Sequence, residues 1–258
     1  MGSVTGLVRL LRQARDDWVR RRHLEVAPAL EAVYSPTEPV RGRHGRRLEG
    51  ASLSSLRNVT ALRSLMRKHR PRRTLEVGLA LGGSAVGMVD MHRALGTGAP
   101  AVHVAIDPFQ STVWDDAGRV ALERAGLAAL VEVIERPSHV ALADLASRGA
   151  RFGLAYIDGS HLFEDCFVDF VLCADLVHEG GIIVLDDCLD PHVRKVVRFI
   201  RENLDSFEEL DVVAYRSLGR FEEMEQRALK GLRGLQQAAF VKTRAAWRRS
   251  WDSAFADF

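Results

Sequence analysis

Hydrophobic and polar positions divide this chain into three rhythms. In the first, Val4, Leu7, Val8 and Leu11 fall at helical spacing, so residues 3 to 33 read as helical. Pro28 opens a second short helix, which Pro36 and Pro39 end. From Val40 to Gly50 the composition is Arg, Gly and His with little to bury, which predicts a loop that closes over a ligand or stays mobile. Ser54 to His69 is amphipathic, with Leu56, Val59, Leu62 and Leu65 on one face, and Pro71 stops it.

The second rhythm begins at Thr74 to Gly87, TLEVGLALGGSAVG, which reads as strand, glycine turn and helix. Regular alternation follows. Strands are predicted at Ala101–Ile106, Val131–Ile134, Phe152–Ile157 and Gly181–Leu185, and helices at Asp115–Ala125, Val140–Ser147, Leu162–His178 and Pro191–Leu204, with Gly180 as the C-cap of the third. This alternation predicts an α/β fold with a doubly wound, mostly parallel sheet that binds ligands at the carboxyl ends of its strands. The third rhythm departs from it: Leu210–Tyr215 and Ala238–Thr243 read as strands around a charged helical segment, Arg220 to Gln237. Trp247, Trp251, Phe255 and Phe258 then form a tail for packing on the domain or on a second copy of the chain, a homo-oligomer.

At 258 residues with 47% hydrophobic content, the chain has room for one large domain and an appendage. We divide it into an N-terminal helical extension and loop, 1–50, and a domain over 51–258 with a helical insertion at about 219–237. A formal charge of +2 argues against a nucleic-acid partner, although Arg20 to Arg22 and Arg41, Arg43, Arg46 and Arg47 concentrate basic charge before the glycine turn. Cys166, Cys173 and Cys188 fit no zinc spacing and leave an odd thiol in any disulfide scheme, so a reducing, cytoplasmic setting is expected. Arg9, Arg12, Arg15 and Asp16 break up any signal peptide, and no apolar run approaches membrane-spanning length, so no membrane is expected as a partner.

The turn selects the ligand class. Glycines there let a ligand approach bare backbone near the free N–H groups of a helix start. The dinucleotide pattern G-x-G-x-x-G is absent, which argues against a nicotinamide-dependent oxidoreductase. The chain instead has Glu76-x-Gly78-x-x-x-Gly82-x-Ser84. A carboxylate at Glu76 is a poor neighbour for a pyrophosphate and a better one for a cationic amino group. If the fourth and fifth strands are neighbours, their ends bring Asp158 together with Asp186 and Asp187, and three converging carboxylates call for a cation. Oxygen ligands indicate a hard ion, and Mg2+ suits them best.

The E-x-G-x-x-x-G pattern resembles the first motif of class I S-adenosylmethionine-dependent methyltransferases. YIDGSH, a long helix and GGIIVLDDC together resemble the metal-dependent O-methyltransferases, both the catechol type and the macrocin-like sugar methyltransferases of antibiotic pathways. The resemblance covers Ser52 to Thr243 and implies a seven-stranded Rossmann-like sheet with an antiparallel final strand. It also implies S-adenosyl-L-methionine as donor, Asp158, Asp186 and Asp187 as ligands of Mg2+, and a small-molecule hydroxyl as acceptor, in natural-product biosynthesis. Catechol enzymes carry a lysine base three residues beyond the first metal aspartate; the macrocin-like enzymes place histidine there, which makes His161 the base. A histidine titrating near neutrality suits that task. The alternative is that His161 caps the following helix, and His192 is the competing base. Asp107 matches the family's ribose-binding position and Ser138 the adenine contact, although Pro137-Ser138 also reads as a helix N-cap. A non-catalytic protein that keeps the fold is the remaining alternative.

Overall fold

The computed structural model describes residues 13–14, 17–35, 38–49, 52–97, 102–217, 219–233 and 235–258. The start of the expected first helix, with Val4, Leu7, Val8 and Leu11, lies outside them, as do Arg15, Asp16, Pro36, Gly50 and Ala101.

Seven strands form one sheet: β1 Thr74–Val77, β2 His103–Ile106, β3 Val131–Ile134, β4 Phe152–Ile157, β5 Val177–Leu185, β6 Phe207–Leu210 and β7 Ala238–Lys242. Their order is β3-β2-β1-β4-β5-β7-β6, parallel throughout except for β7, which runs antiparallel to both β5 and β6. The expected fold class is thereby borne out. All six residues of β4 and the last five of β5 are buried, as their uninterrupted apolar runs require of strands covered on both faces. Strand order reverses between β1 and β4, and ligands of such sheets bind at this switch point, in the crevice outside the carboxyl ends of the strands.

In chain order the helices are α1 (residues 17–25), α2 Glu31–Tyr34, α3 Leu56–His69, α4 Gly83–Ala94, α5 Ala117–Arg124, α6 Ser138–Ser147, α7 Phe163–Leu176, α8 Pro191–Asn203, α9 Val213–Arg216 and α10 Arg220–Arg233. One face of the sheet packs on α6, α7 and α8 through a core that includes Leu142, Phe170 and Ile200. The other face takes α3 and α4, with Leu62, Leu65 and Met88 against Tyr156 and Val184. Ser55 starts α3: its hydroxyl accepts a hydrogen bond from Asn58 N at 3.2 Å, satisfying one of the helix's free donors. Within this layer the buried Arg63 pairs with Asp90 at 2.6 Å, tying α3 to α4.

Three expectations are corrected. Leu210–Tyr215 is not a strand: β6 runs from Phe207 to Leu210, and Val213–Arg216 turns into α9. The β-branched pair Val212-Val213 suggested a strand, but both side chains are buried, with Val212 against the α3 layer. Gly180 is not a helix cap, because α7 ends at Leu176 and Gly180 lies inside β5 with φ +79°. Finally, the loop expected to close or stay mobile is a small hairpin, with Arg41 bridged to Arg47. Asp115 fastens it, accepting from the backbone N–H and ring of His44, while Arg43 pairs with Asp116 and Glu123.

The N-terminal segment is fastened to the domain rather than held apart from it. Leu24, Ala27, Leu30 and Val33 share a core with Val59 of α3 and Val86 of α4. The buried His23 joins Thr60 of α3 to Glu222 of α10. In the tail, Trp247 is buried against Phe170 and Phe207, Phe255 and Phe258 pack on Phe199, and Trp251 is exposed. Among the described residues no helix is long and apolar enough to cross a membrane. All three cysteines are free and buried.

Candidate active site

Backbone geometry at the switch point comes first. β1 ends at Val77, and Gly78 turns away with φ +95°; a Cβ there would run into the carbonyl oxygen of Asp158, at the end of β4. Only glycine lets the two strand ends approach so closely. Gly82, also left-handed at φ +83°, packs against Gly118, and a Cβ at Gly83 would meet the Tyr34 hydroxyl. Gly82 itself lines neither cavity of this crevice, whereas Gly83 and Ser84 do.

Side chains from the ends of β4 and β5 converge next to this turn. Asp158, His161 and Asp187 each place a ligand atom within 4.8 Å of the others. His161 Nε2 lies 2.9 Å from Asp187 Oδ2. That hydrogen bond raises the His161 pKa against a smaller opposing effect of burial, and it lowers the pKa of Asp187. Gln236 donates to the other Asp187 oxygen at 2.9 Å. Asp187 occupies the left-handed region, φ +50°, which aspartate tolerates better than most residues.

Asp186, expected as a third metal ligand, is not brought into this group. Successive residues at a strand end face opposite ways, and Asp186 is buried beneath the site. There it accepts from Asn58 Nδ2 at 2.8 and 2.9 Å, from Tyr156 OH, from Gln237 Nε2 and from the N–H of Asp187. Four donor groups satisfy it without a cation.

Asp158 bridges the two levels. Its Oδ2 accepts from Ser54 Oγ at 2.8 Å and faces Tyr156 OH at 2.9 Å. Tyr156 has one proton and two carboxylates to serve, so a second proton is needed to fill both contacts. Burial, followed by the charge of Asp186, accordingly raises the Asp158 pKa well above the ordinary carboxylate range. Two carboxylates and an imidazole around an opening fit a hard divalent ion, which binds through one or two carboxylates and completes its shell with water and substrate oxygens. His161 makes no capping bond to α7, and the N–H of Phe163 is directed instead to His192 Nδ1 at 3.2 Å. His192 is thereby engaged outside the cluster.

Three cavities meet here. A central one of about 300 Å³ contains the cluster, with Ser54, Ser84 and Trp114 in its walls. Through Gly78, Ala80, Trp114, Asp158 and Gly159 it adjoins a second, of about 500 Å³, lined by Asp107, Ser138 and Asp169. Asp107 is buried and held by the backbone N–H groups of Ala80 and Phe109, at 2.7 and 2.8 Å, and by Gln110. Ser138 opens α6 and makes no capping bond. Asp169 is buried with Oδ1 unpartnered, and burial pushes its pKa up to about 6. Through Leu53, Ser54 and Gln236 the central cavity adjoins a third, of about 1000 Å³, walled by the N-terminal segment, α3 and α9. Glu76, expected beside the donor, lines none of the three. It is wholly buried, with Oε2 3.4 Å from His103 Nε2 and Oε1 unpartnered.

Sequence reasoning missed Ser54, Tyr156, Asn58 and Gln236. Tyr156 had a readable signal, since it lies two residues before Asp158 on the same face of β4. Gln236 lies at the end of the insertion, past α10 and just before β7, and had none.

Residues 75–188 match the family model of a methyltransferase domain. No curated protein sequence matches the chain. Three solved structures resemble it in fold. Cofactor-bound Rv0187 from MTB has 22% identity and a TM-score of 0.57, covering 85% of this chain and 89% of that one. The O-methyltransferase TomG from Streptomyces achromogenes, involved in tomaymycin synthesis and solved with SAM, has 19% identity and a TM-score of 0.55, covering 84% and 89%. An O-methyltransferase from Bacillus cereus in complex with SAH has 21% identity and a TM-score of 0.53, covering 74% and 84%. The expected Rossmann-like methyltransferase fold is thus borne out, and residues 75–188 match a methyltransferase-domain model. The matched segment contains Asp107, Asp158, His161 and Asp187. Ser54, Gln236 and every other residue lining the third cavity lie outside it.

Proposed function

We propose that this methyltransferase domain transfers a methyl group from S-adenosylmethionine to a hydroxyl of a small molecule, a sugar or a catechol-like phenol of natural-product biosynthesis. The single observation that carries this reading is the position of the Asp158–His161–Asp187 cluster, between a cavity lined by Asp107 and Ser138 and a larger one on the other side. That TomG and the Bacillus cereus enzyme are O-methyltransferases supports it.

The donor supplies a methyl group already activated on a sulfonium, and a divalent cation such as Mg2+ supplies positive charge for the acceptor oxygen. Asp107, Ser138 and Asp169 offer the donor acceptor oxygens, with Asp169 Oδ1 still unpaired. Gly78 and Ser84 bring the turn close to it. Asp158 and Asp187 would hold the cation.

His161 takes the proton from the acceptor hydroxyl. With Nε2–H donated to Asp187, its Nδ1 keeps a lone pair for that proton, and Asp187 stabilises the imidazolium that results. Gln236 fixes Asp187 and Ser54 fixes Asp158, so the cluster does not have to reorganise during reaction. Holding two reactants in line in this way removes up to about 7–11 kcal/mol from such barriers.

The test is methyl transfer by the purified chain to vicinal diols and catechols, followed by mass spectrometry with and without a chelator. A product methylated on oxygen, lost on chelation while the fold persists, is expected. Metal-independent transfer would remove the cation from this account. Donor binding without transfer to any hydroxyl would overturn the activity.

A further inference from the structure

Arg216 ends α9 in an unusual electrostatic position. It is 6% exposed, its Nε is buried without a partner, and among the described residues it has neither a salt bridge nor a side-chain hydrogen bond. A buried guanidinium is normally paired, because an unpaired buried charge is costly. The surrounding carboxylates are committed elsewhere. Glu222 and Glu225 pair with Arg57, at 3.1 and 3.3 Å, and Glu222 also meets His23. Asp186 is near enough for its charge to act on Arg216, but its oxygens are occupied by Asn58, Tyr156, Gln237 and the Asp187 N–H.

Open space remains on one side. Arg216 lines the cavity of about 1000 Å³, as do Arg20, Arg47 and Arg57, against the two acidic residues Glu38 and Glu49. Of the four arginines Arg216 is the most buried. Ser54 and Gln236 stand where this cavity adjoins the central one, and they hold Asp158 and Asp187 respectively. A molecule with its hydroxyl at the cluster therefore extends its remainder toward a basic wall that contains an unsatisfied fork of donors.

We infer that the acceptor carries, besides its reacting hydroxyl, an anionic oxygen group, carboxylate or phosphate, which Arg216 takes as a bidentate partner. This rests on the proposed reading that the acceptor lies in this cavity. A planar guanidinium fits such groups with two parallel hydrogen bonds, which a lysine cannot reproduce. Arg216 is then the residue that selects among hydroxylated compounds by charge, and neutral acceptors of the same shape leave it unpaired.

The experiment uses matched pairs with the full chain: 3,4-dihydroxybenzoate against its methyl ester, and glucose 6-phosphate against glucose. Binding is read by calorimetry with donor product and Mg2+ present, and turnover is read separately. The charged member of at least one pair is expected to bind about 10-fold or more tightly than its neutral partner, and which pair responds identifies carboxylate or phosphate. Arg216→Gln should bring that ratio close to unity, and Arg216→Lys should leave it intermediate. Equal binding of both members by the unaltered protein overturns the inference without any variant, as does a preference that persists in Arg216→Gln. Charge-selective binding without methyl transfer would instead defeat the proposed activity and leave the anion site standing.

Discussion

Asp186 and Asp187 are adjacent in sequence and belong to two different regions. Asp186 lies in a floor of buried polar groups, with Asn58, Tyr156 and Gln237 donating to it. Asp187 lies at the mouth of the crevice, half-buried, facing His161. The floor is a buried hydrogen-bonded network in which Asn58 Oδ1 and Gln237 Oε1 stay without a partner, and it holds Tyr156 between Asp186 and Asp158. The mouth is left open, with Asp158, His161 and Asp187 gathered at a cavity of about 300 Å³. Two identical side chains one residue apart thus divide into support and chemistry by the parity of a strand end.

The strongest way to break this comparison is at the floor. Asp186→Ala strands the donors of Asn58, Tyr156 and Gln237, and is expected to cost about 2–5 kcal/mol of stability, measured by urea denaturation. An unchanged stability with lost metal affinity would show that Asp186 is a ligand after all. At the mouth the sign reverses. His161→Ala should lower the maximal rate about 100-fold or more while shifting the unfolding temperature little, as steady-state kinetics and a thermal melt would show.

A smaller effect concerns protons. The raised pKa of Asp158 means that the folded, metal-free protein holds a proton that its unfolded chain has released, so this group weakens the fold as pH rises above the ordinary carboxylate value. Cation binding must displace that proton. Mg2+ should therefore raise the unfolding temperature less and less as pH is lowered, and a shift independent of pH would separate Asp158 from the ion. The smallest effect is a titration shift. In the metal-free protein Asp187→Asn replaces the charged acceptor that raises the His161 pKa by a neutral one, so the His161 midpoint, followed by NMR, should fall. A midpoint that stays put would mean the pair is not formed in solution.

The sheet was legible because its signal is collective. Phe152–Ile157 is recovered residue for residue, since a buried parallel strand needs one apolar type throughout. β6 was misplaced because Glu208 and Glu209 face outward at an edge, where pairing with β7 decides and side-chain burial says little. At the site, Asp158, His161 and Asp187 were named from pattern and converge as a group. The different fate of Asp186 depends on Asn58, 128 residues away, and no local pattern carries that information. Ser54, Gln236 and Arg216 lie just before α3, just before β7 and at the end of a one-turn helix, where periodicity has nothing to report.

The link from Tyr34 through Ser54 to Asp158 bears on how the protein can be trimmed. Tyr34 donates to the Ser54 carbonyl at 2.5 Å, and the Ser54 hydroxyl reaches Asp158. A fragment cut to the matched segment would keep the glycine turn and both strand ends but would lose the brace on Asp158 and the walls of the third cavity. The smallest unit worth engineering therefore starts upstream of Tyr34, so that the link to Asp158 stays whole.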